Sequence, residues 1–237
     1  MGAVKCVYFS PDELKLVKET PQDRRKFMDT DISQLSKNYF YLLIKYNKIL
    51  ESRNKLLKEQ SNVEVLKQTL PIWTMQLASC GAKIIFRRIK FLEKLKVYAK
   101  QSHNFLTSNL EDLELKYQGI TGASEEEIEK LLLKGLNESE EKDIRLGYTT
   151  VGPHRDDIEI LCNNIDIRAF GSQGQHRTVA LSLKLAELEI FKDECGEYPI
   201  LLLDDVLSEL DIDRQTKLLE KTREIQTIMT TTNVNEY

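Results

Sequence analysis

The sequence predicts an α/β protein interrupted by a large helical lobe. Three observations carry this reading. Short β-prone runs stand near both ends, a long stretch of helical apolar spacing fills the middle, and ILLLDD (residues 200–205) reads as a buried strand closed by two carboxylates. With 237 residues, 41% hydrophobic and 30% charged, the chain has room for one large domain or two small ones and is too apolar for a disordered chain.

Taken in order, VKCVYF (residues 4–9) is the first expected strand, stopped by Ser10-Pro11. A short helix follows, then a turn at Thr20-Pro21. Between residues 38 and 58, Phe40, Leu43, Ile44, Tyr46, Leu50, Leu56 and Leu57 recur at helical spacing. A second helix is expected to open at Pro71, a favoured first-turn residue, and to run through Leu77, Ile84, Leu92 and Leu95 to Leu106. Unbroken, it would be about 50 Å long, with Gly81 as a point of bending. Ser124 followed by Glu127 is a capping box that opens a third helix through Leu133. The character changes near residue 146. Residues 148–151 and 158–162 are β-prone and flank GPHRDD (residues 152–157). GSQGQHRTVALSLKLAE (residues 171–187) leads into a helix reaching about Asp193, and residues 213–224 and 227–231 read as a helix and a last strand.

No apolar run is long enough to span a membrane, and MGAVKC has neither a signal-peptide core nor the Ser or Thr of a myristoylation signal. Cys6, Cys80, Cys162 and Cys195 form no C-x-x-C pair, which disfavours zinc or a disulfide framework and favours the cytoplasm. The net charge of −4 hides a basic stretch (Lys83, Arg87, Arg88, Lys90, Lys94, Lys96, Lys100) and an acidic one between residues 124 and 143. On a helix Lys83, Arg87, Lys90 and Lys94 share one face, which suits DNA phosphates or is simply a solvated surface.

Two carboxylates at a strand end, Asp204 and Asp205, lie where ligands of open α/β sheets bind, and a magnesium-nucleotide would offset their repulsion; the plainer reading is a helix cap. Gly171, Ser172, Gly174 and Gln175 at a helix start can cradle phosphate, or Ser172 can serve as an ordinary N-cap. His154, Arg155 and Asp156 spell the HRD of a kinase loop, but Leu161 stands where Asn is needed and no DFG follows. His154 with Asp156 and Asp157 then reads either as a metal site or as a buried, hydrogen-bonded turn.

In order, SQGQ, a long helix, LLLDD, SELD (residues 208–211) and a strand ending in Thr-Thr-Thr resemble the signature, Walker B, D-loop and switch of an ATP-binding-cassette ATPase. GPHRDD, FGSQGQHRTVALSLKLAE, LLLDDVLSELD, VYFSPDELKLVKETPQDRRKFMD, KYNKILESRNKLLK and WTMQLASCGAKI are similar to stretches of the RecF family, and this resemblance covers nearly the whole chain. It implies an α/β, ABC-ATPase-like fold related to P-loop NTPases, a partial sheet lobe with a large inserted helical lobe. Residues 1–19 would be a remnant of the ATPase lobe, 20–145 the helical lobe, and 146–237 the remainder of the ATPase lobe. It implies ATP and magnesium as cofactors: Asp204 as the magnesium carboxylate, through water, and Asp205, where many relatives have Glu, as the residue orienting the attacking water. Ser172, Gln173, Gly174 and Gln175 would face ATP held by a second protomer, with Gln173 departing from the more usual Gly. Asp211 matches the D-loop acid, and Thr231 stands where many relatives place a switch histidine. Further implied are an ATP-dependent homodimer on double-stranded DNA and single-strand/double-strand junctions, RecR and RecO as partners, RecA loading, the SOS response and no membrane. A phosphate-binding loop reads G-x-x-x-x-G-K-[ST], and Gly-Lys occurs nowhere in the chain. By resemblance that loop lies upstream, so the chain is expected to be a RecF-like sequence without its first part and its last few residues, inactive alone and weakly ATPase-active when complete. The alternative is a non-catalytic module that binds DNA or protein.

Overall fold

The amino-terminal run buries Val7 and Phe9 and leaves Tyr8 exposed between them, the period of a strand with one covered face. In the computed structural model, which describes residues 4–59 and 63–231, this run is strand β1 (Cys6–Phe9). Residues 1–3, part of the segment read above for a leader or lipid signal, lie outside the described residues. The chain divides into two compact units, Met1–Phe27 with Leu92–Lys116 and Ile158–Tyr237, and Met28–Phe91 with Tyr117–Asp157. These limits differ from the sequence division at residues 19 and 145, because Leu92–Lys116 belongs with both ends of the chain.

After β1 come a 3-10 turn (Pro11–Leu14), α1 (Lys15–Lys18) and α2 (Pro21–Leu35). Pro21 occupies the first helical position, where its missing N–H breaks no helical bond, so the expected turn there is also a helix start. Then follow α3 (Lys37–Glu59) and α4 (Val63–Thr107). The expected start of α4 at Pro71 is corrected to Val63: Pro71 lies inside the helix. Leu66 and Leu70, 1% and 0% exposed, extend the buried stripe ahead of the proline, and their burial offsets the ladder bond that Pro71 cannot make.

The second unit is helical. Its α5 (Glu125–Glu138) is capped by Ser124, whose hydroxyl accepts from Glu127 N–H at 3.2 Å, while the Glu127 carboxylate accepts from Ala123 N–H at 2.7 Å. Gly81 on α4 meets this helix, since a Cβ there would stand 2.7 Å from Leu132 Cδ2. α6 (Glu140–Leu146) ends at Gly147 in the left-handed region. Asp143, the last residue of the acidic stretch, is wholly buried against Arg53 at 2.8 Å. Arg53 also donates to Thr149 Oγ1 at 2.7 Å, and Asp143 accepts from Thr150 N–H and hydroxyl at 2.9 and 2.7 Å. Thr149 N–H goes to Asn54 Oδ1 at 2.8 Å. These side chains take backbone groups that a strand at residues 148–151 would need, and the β-prone run forms none.

The GPHRDD segment is a hydrogen-bonded turn of this unit. His154 Nε2 lies 3.1 Å from Thr149 O and so donates, leaving Nδ1 to accept from Tyr46 O–H at 2.7 Å. Arg88 donates to Pro153 O at 2.6 Å and grips Asp29 through two N–H groups at 2.9 and 2.8 Å, and Tyr117 O–H donates to Asp156. Of the two readings left open for His154, the structure shows the hydrogen-bonded turn, with Gly152, Pro153 and Asp156 buried and His154 half-buried.

Two three-stranded sheets complete the fold. One joins β2 (Leu113–Gln118), which periodicity did not reveal, to β3 (Asp157–Cys162) and β4 (Ile165–Asp166). Asn163 and Asn164, with φ of 50° and 65°, turn β3 into antiparallel β4 in the manner of a type I′ hairpin. The remaining elements are α7 (Ile167–Phe170), α8 (Gln173–Cys195), β5 (Ile200–Asp204), a 3-10 turn (Leu207–Glu209), α9 (Ile212–Lys221) and β6 (Thr227–Thr230). The other sheet runs β1-β5-β6, all parallel, with Leu201 and Leu203 turned inward beside Val7 and Phe9. On its opposite face Tyr8, Leu202 and Ile228 stand in register, and Tyr8 and Ile228 stay 44% and 58% exposed.

Arg53→Met removes the cation facing a fully buried carboxylate. Breaking one partner of such a pair costs about 3–5 kcal/mol. Urea unfolding should register that loss, and the double variant Arg53→Met/Asp143→Leu should recover much of it. A single variant as stable as the parent would contradict the role given to this pair.

Candidate nucleotide site

The apolar run of β5 ends at its carboxyl edge on Asp204, and the flanking parallel strands supply hydroxyls on both sides. Tyr8 O–H from β1 donates to Asp204 Oδ2 at 2.9 Å, and Thr230 Oγ1 from β6 donates to Oδ1 at 2.7 Å. These bonds hold the Asp204 carboxyl below the usual carboxylate range, Thr230 contributing the larger share. Asp204 is exposed and so accessible to a water-bound cation.

Asp205 sits at φ 51°, a conformation that Asp and Asn tolerate better than most residues. Its N–H donates to Thr230 O at 3.2 Å and to Thr230 Oγ1 at 3.0 Å, and its carbonyl accepts from Ser208 O–H at 2.8 Å. Its Oδ1 is buried and, among the described residues, accepts no hydrogen bond. A buried carboxylate oxygen without a donor is costly unless a water or ligand supplies one. The pair Asp204–Asp205 therefore fits a hydrated magnesium ion and an ordered water. The residue that fixes both acids is Thr230, one position before Thr231, which lies just past β6.

The SQGQ segment opens α8. Ser172 Oγ accepts from Gln175 N–H at 3.2 Å, and Gln175 Oε1 accepts from Ser172 N–H at 3.0 Å, a complete capping box. Ser172, Gln173 and Gly174 are exposed. Gln175 also donates from Nε2 to Glu111 at 3.0 Å. Gly171 is needed for packing: a Cβ there would stand 2.5 Å from Ile167 O and 2.9 Å from His176 Nε2. Gly174 faces open space, with Ser172 Oγ at 4.0 Å as the one neighbour of an added Cβ.

The SELD segment (residues 208–211) joins this helix start. Asp211 caps α9 by accepting from Arg214 N–H at 2.9 Å and pairs with the Arg214 guanidinium, which together hold its carboxyl below the usual range. Arg214 Nε donates to Thr178 Oγ1 at 2.8 Å, and Thr178 donates to Gly174 O at 2.9 Å. A cleft of about 230 Å³ opens here, lined by Gly174, Arg177, Ser208, Leu210, Asp211 and Arg214. Its two guanidiniums and exposed helix start suit an oxyanion such as phosphate. Arg214 was not singled out from sequence, because an isolated Arg carries no signal until folding brings it to a helix start.

The basic stretch is divided among different tasks. Lys83, Arg87 and Lys90 are exposed on α4. Arg88 is buried against Asp29, Lys100 pairs with Asp112 at 2.5 Å, and Lys94 is half-buried between Asp193 at 2.5 Å and Glu194 at 2.7 Å. Asp193 and then Glu194 raise the Lys94 pKa, so its charge is locked on but locally balanced. Among the described residues no helix is long and apolar enough to cross a membrane.

No protein-family model matches the chain. Curated relatives do. The DNA replication and repair protein RecF of Alkaliphilus oremlandii is 47% identical over 236 residues, 98% of this chain and 64% of the relative. That of Halothermothrix orenii is 49% identical, over 100% of this chain and 66% of the relative. Among solved structures, the recombination mediator protein RecF–ATPrS of the RecFOR pathway superposes with a TM-score of 0.88 at 43% identity, over 98% of this chain and 64% of that one. RecF–ATP gives a TM-score of 0.88 at 42% identity. With the α/β, ABC-ATPase-like fold that the motif order implied, the chain belongs to the RecF family and spans 64% of the length of the first of these relatives.

Proposed function

We propose that this chain supplies one face of a composite ATP site in a DNA replication and repair protein of the RecF type. The observation that carries the proposal is the presence, within one unit, of the Asp204–Asp205 pair at the end of β5 and the arginine-lined cleft at the start of α8. Bound ATP with magnesium would supply the scissile phosphoanhydride and its charge-neutralising cation. Asp204, poised as a carboxylate by Thr230 and Tyr8, holds the cation through water. Asp205 presents its unsatisfied Oδ1 to the attacking water. Its side chain is one methylene shorter than the Glu of many ATPases, which favours slow turnover. Ser172, Gln173, Gly174 and Gln175, with Arg177 and Arg214 behind them, contact the phosphates of ATP carried by a second protomer, and Asp211 fixes the D-loop beside them. Thr231 serves as the switch position, one residue after Thr230.

ATP thus closes a homodimer on double-stranded DNA and on single-strand/double-strand junctions, and hydrolysis releases it. This cycle serves gap repair with RecR and RecO in RecA loading and the SOS response, in the cytoplasm. On α4, Lys83, Arg87 and Lys90 provide phosphate contacts that do not read sequence. Lys94 contributes less, because two carboxylates already surround its ammonium.

The experiment uses the full gene product containing this sequence. Asp205→Asn keeps size but removes the carboxylate charge, and it should preserve ATP binding while lowering single-turnover hydrolysis by at least about 100-fold, the scale of losing a positioned base. Hydrolysis at the parental rate would remove Asp205 from the mechanism. Failure of the parent protein to bind ATP at all would favour the non-catalytic reading. Arg87→Glu should weaken duplex binding and reduce its salt slope by about 0.9 for each DNA phosphate that the variant no longer neutralises. Lys94→Ala should leave that slope nearly unchanged. Equal effects of the two would refute the division of the basic stretch.

A further inference from the structure

Within the first unit, away from the carboxylate pair of β5, lies a buried group of three side chains that the proposed ATP chemistry does not use. His103 comes from the last turns of α4, Glu111 from the turn before β2, and Cys162 from the end of β3. His103 is 0% and Cys162 2% exposed, and Glu111 is half-buried. His103 Nε2 lies 3.3 Å from Glu111 Oε2 and 3.9 Å from Cys162 Sγ, and the three ligand atoms all lie within 4.8 Å of one another.

Hydrogen bonding fixes the imidazole tautomer. Ser182 has a single hydroxyl hydrogen and donates it to Thr178 O at 2.7 Å. The 3.0 Å contact between Ser182 Oγ and His103 Nδ1 therefore has Nδ1–H as donor. In neutral His103 this leaves the Nε2 lone pair aimed at a carboxylate and a sulfur. Burial works against protonating the ring to relieve that arrangement, and burial, then the Glu111 charge, hold the Cys162 thiol up at about 12.

We propose that His103 Nε2, Glu111 and Cys162 Sγ form a binding site for a zinc-class divalent transition-metal ion, with water in the fourth position. Tetrahedral zinc with ordinary bond lengths sets its nitrogen and oxygen ligands about 3.4 Å apart and its nitrogen and sulfur ligands about 3.6 Å apart. The observed 3.3 and 3.9 Å lie within a few tenths of an ångström of these spacings, and the oxygen–sulfur pair, within 4.8 Å, closes as the metal is bound. A neutral imidazole, a thiolate and a carboxylate balance a divalent ion, so the loaded site buries no net charge. The thiol proton leaves to solvent as the metal–sulfur bond forms. Two ligands already have outer partners of the kind that orient metal sites: Ser182 holds His103, and Gln175 Nε2 holds the other Glu111 oxygen at 3.0 Å. Because Gln175 also closes the capping box on Ser172, fixing Glu111 also fixes the start of α8.

The chain, stripped with chelator, is titrated with Co²⁺ and then with Zn²⁺. One equivalent of Co²⁺ should produce a thiolate-to-metal charge-transfer band and tetrahedral ligand-field bands, both displaced by Zn²⁺. Cys162→Ser should abolish the charge-transfer band, while Cys6→Ser and Cys195→Ser keep it. Ser182→Ala should weaken zinc binding about 10- to 100-fold, and His103→Gln by more. Circular dichroism checks that each variant is folded. If Cys162→Ser does not fold, X-ray absorption of the zinc-loaded parent decides, since one sulfur near 2.3 Å with nitrogen or oxygen neighbours is required. No bound equivalent, no sulfur scatterer, or a band lost only with Cys6 or Cys195 overturns the site.

Discussion

The parallel pairing of β5 between β1 and β6 is the constraint on which the nucleotide site depends. It sets Tyr8 and Thr230 on either side of Asp204, so one carboxylate receives a hydroxyl from each neighbouring strand. Thr230 does double duty, because its hydroxyl donates to Asp204 and accepts from Asp205 N–H while its carbonyl accepts from the same N–H. That grip holds Asp205 in the left-handed region, and its Oδ1 has no donor among the described residues. Local strain and an unmet hydrogen bond are thus concentrated at the residue assigned to the attacking water, a pattern expected where surrounding structure overdetermines a reactive position.

The second half of the site is built by economy of contacts around the start of α8. One short segment caps its own helix, anchors Glu111 through Gln175, and receives Arg214 through Thr178. Gly171 makes the sharp entry possible by letting Ile167 O and His176 approach its backbone, while Gly174 keeps the outward side clear. The exposed residues of the segment are therefore backed by a rigid bonded frame, the condition for positioning phosphate without reorganisation.

Much of this was legible in the sequence, and the exceptions have physical causes. The β5 strand, the long α8 helix and the carboxylate pair follow from periodicity and residue types, and the motif order was read by resemblance. Ser172 as an N-cap was one of two open readings, and the structure shows the cap in place. The start of α4 was misplaced because a proline is ordinarily an initiator, and only the burial of Leu66 and Leu70 explains its interior position. The run at residues 148–151 lost its strand to Asp143 and Asn54, which compete for its backbone and hydroxyl groups. Thr230 was not singled out from sequence, because only strand register shows which hydroxyl reaches Asp204. A count of basic residues cannot see that Lys94 lies between Asp193 and Glu194, or that Arg88 belongs to Asp29. The His103–Glu111–Cys162 group was invisible for the same reason: no spacing rule joins ligands from a helix end, a turn and a strand end.

The central claim is that the exposed start of α8 engages a nucleotide held by another protomer. Sedimentation velocity of the full gene product, with and without ATP, tests it through Ser172→Arg. The substitution puts bulk and charge at the exposed tip of the capping box, whose side-chain bonds involve neither Asp204 nor Asp205. The account predicts that the variant binds ATP like the parent but sediments as a monomer at ATP concentrations where the parent dimerises. An ATP-dependent dimer of normal affinity in the Ser172→Arg protein would contradict it.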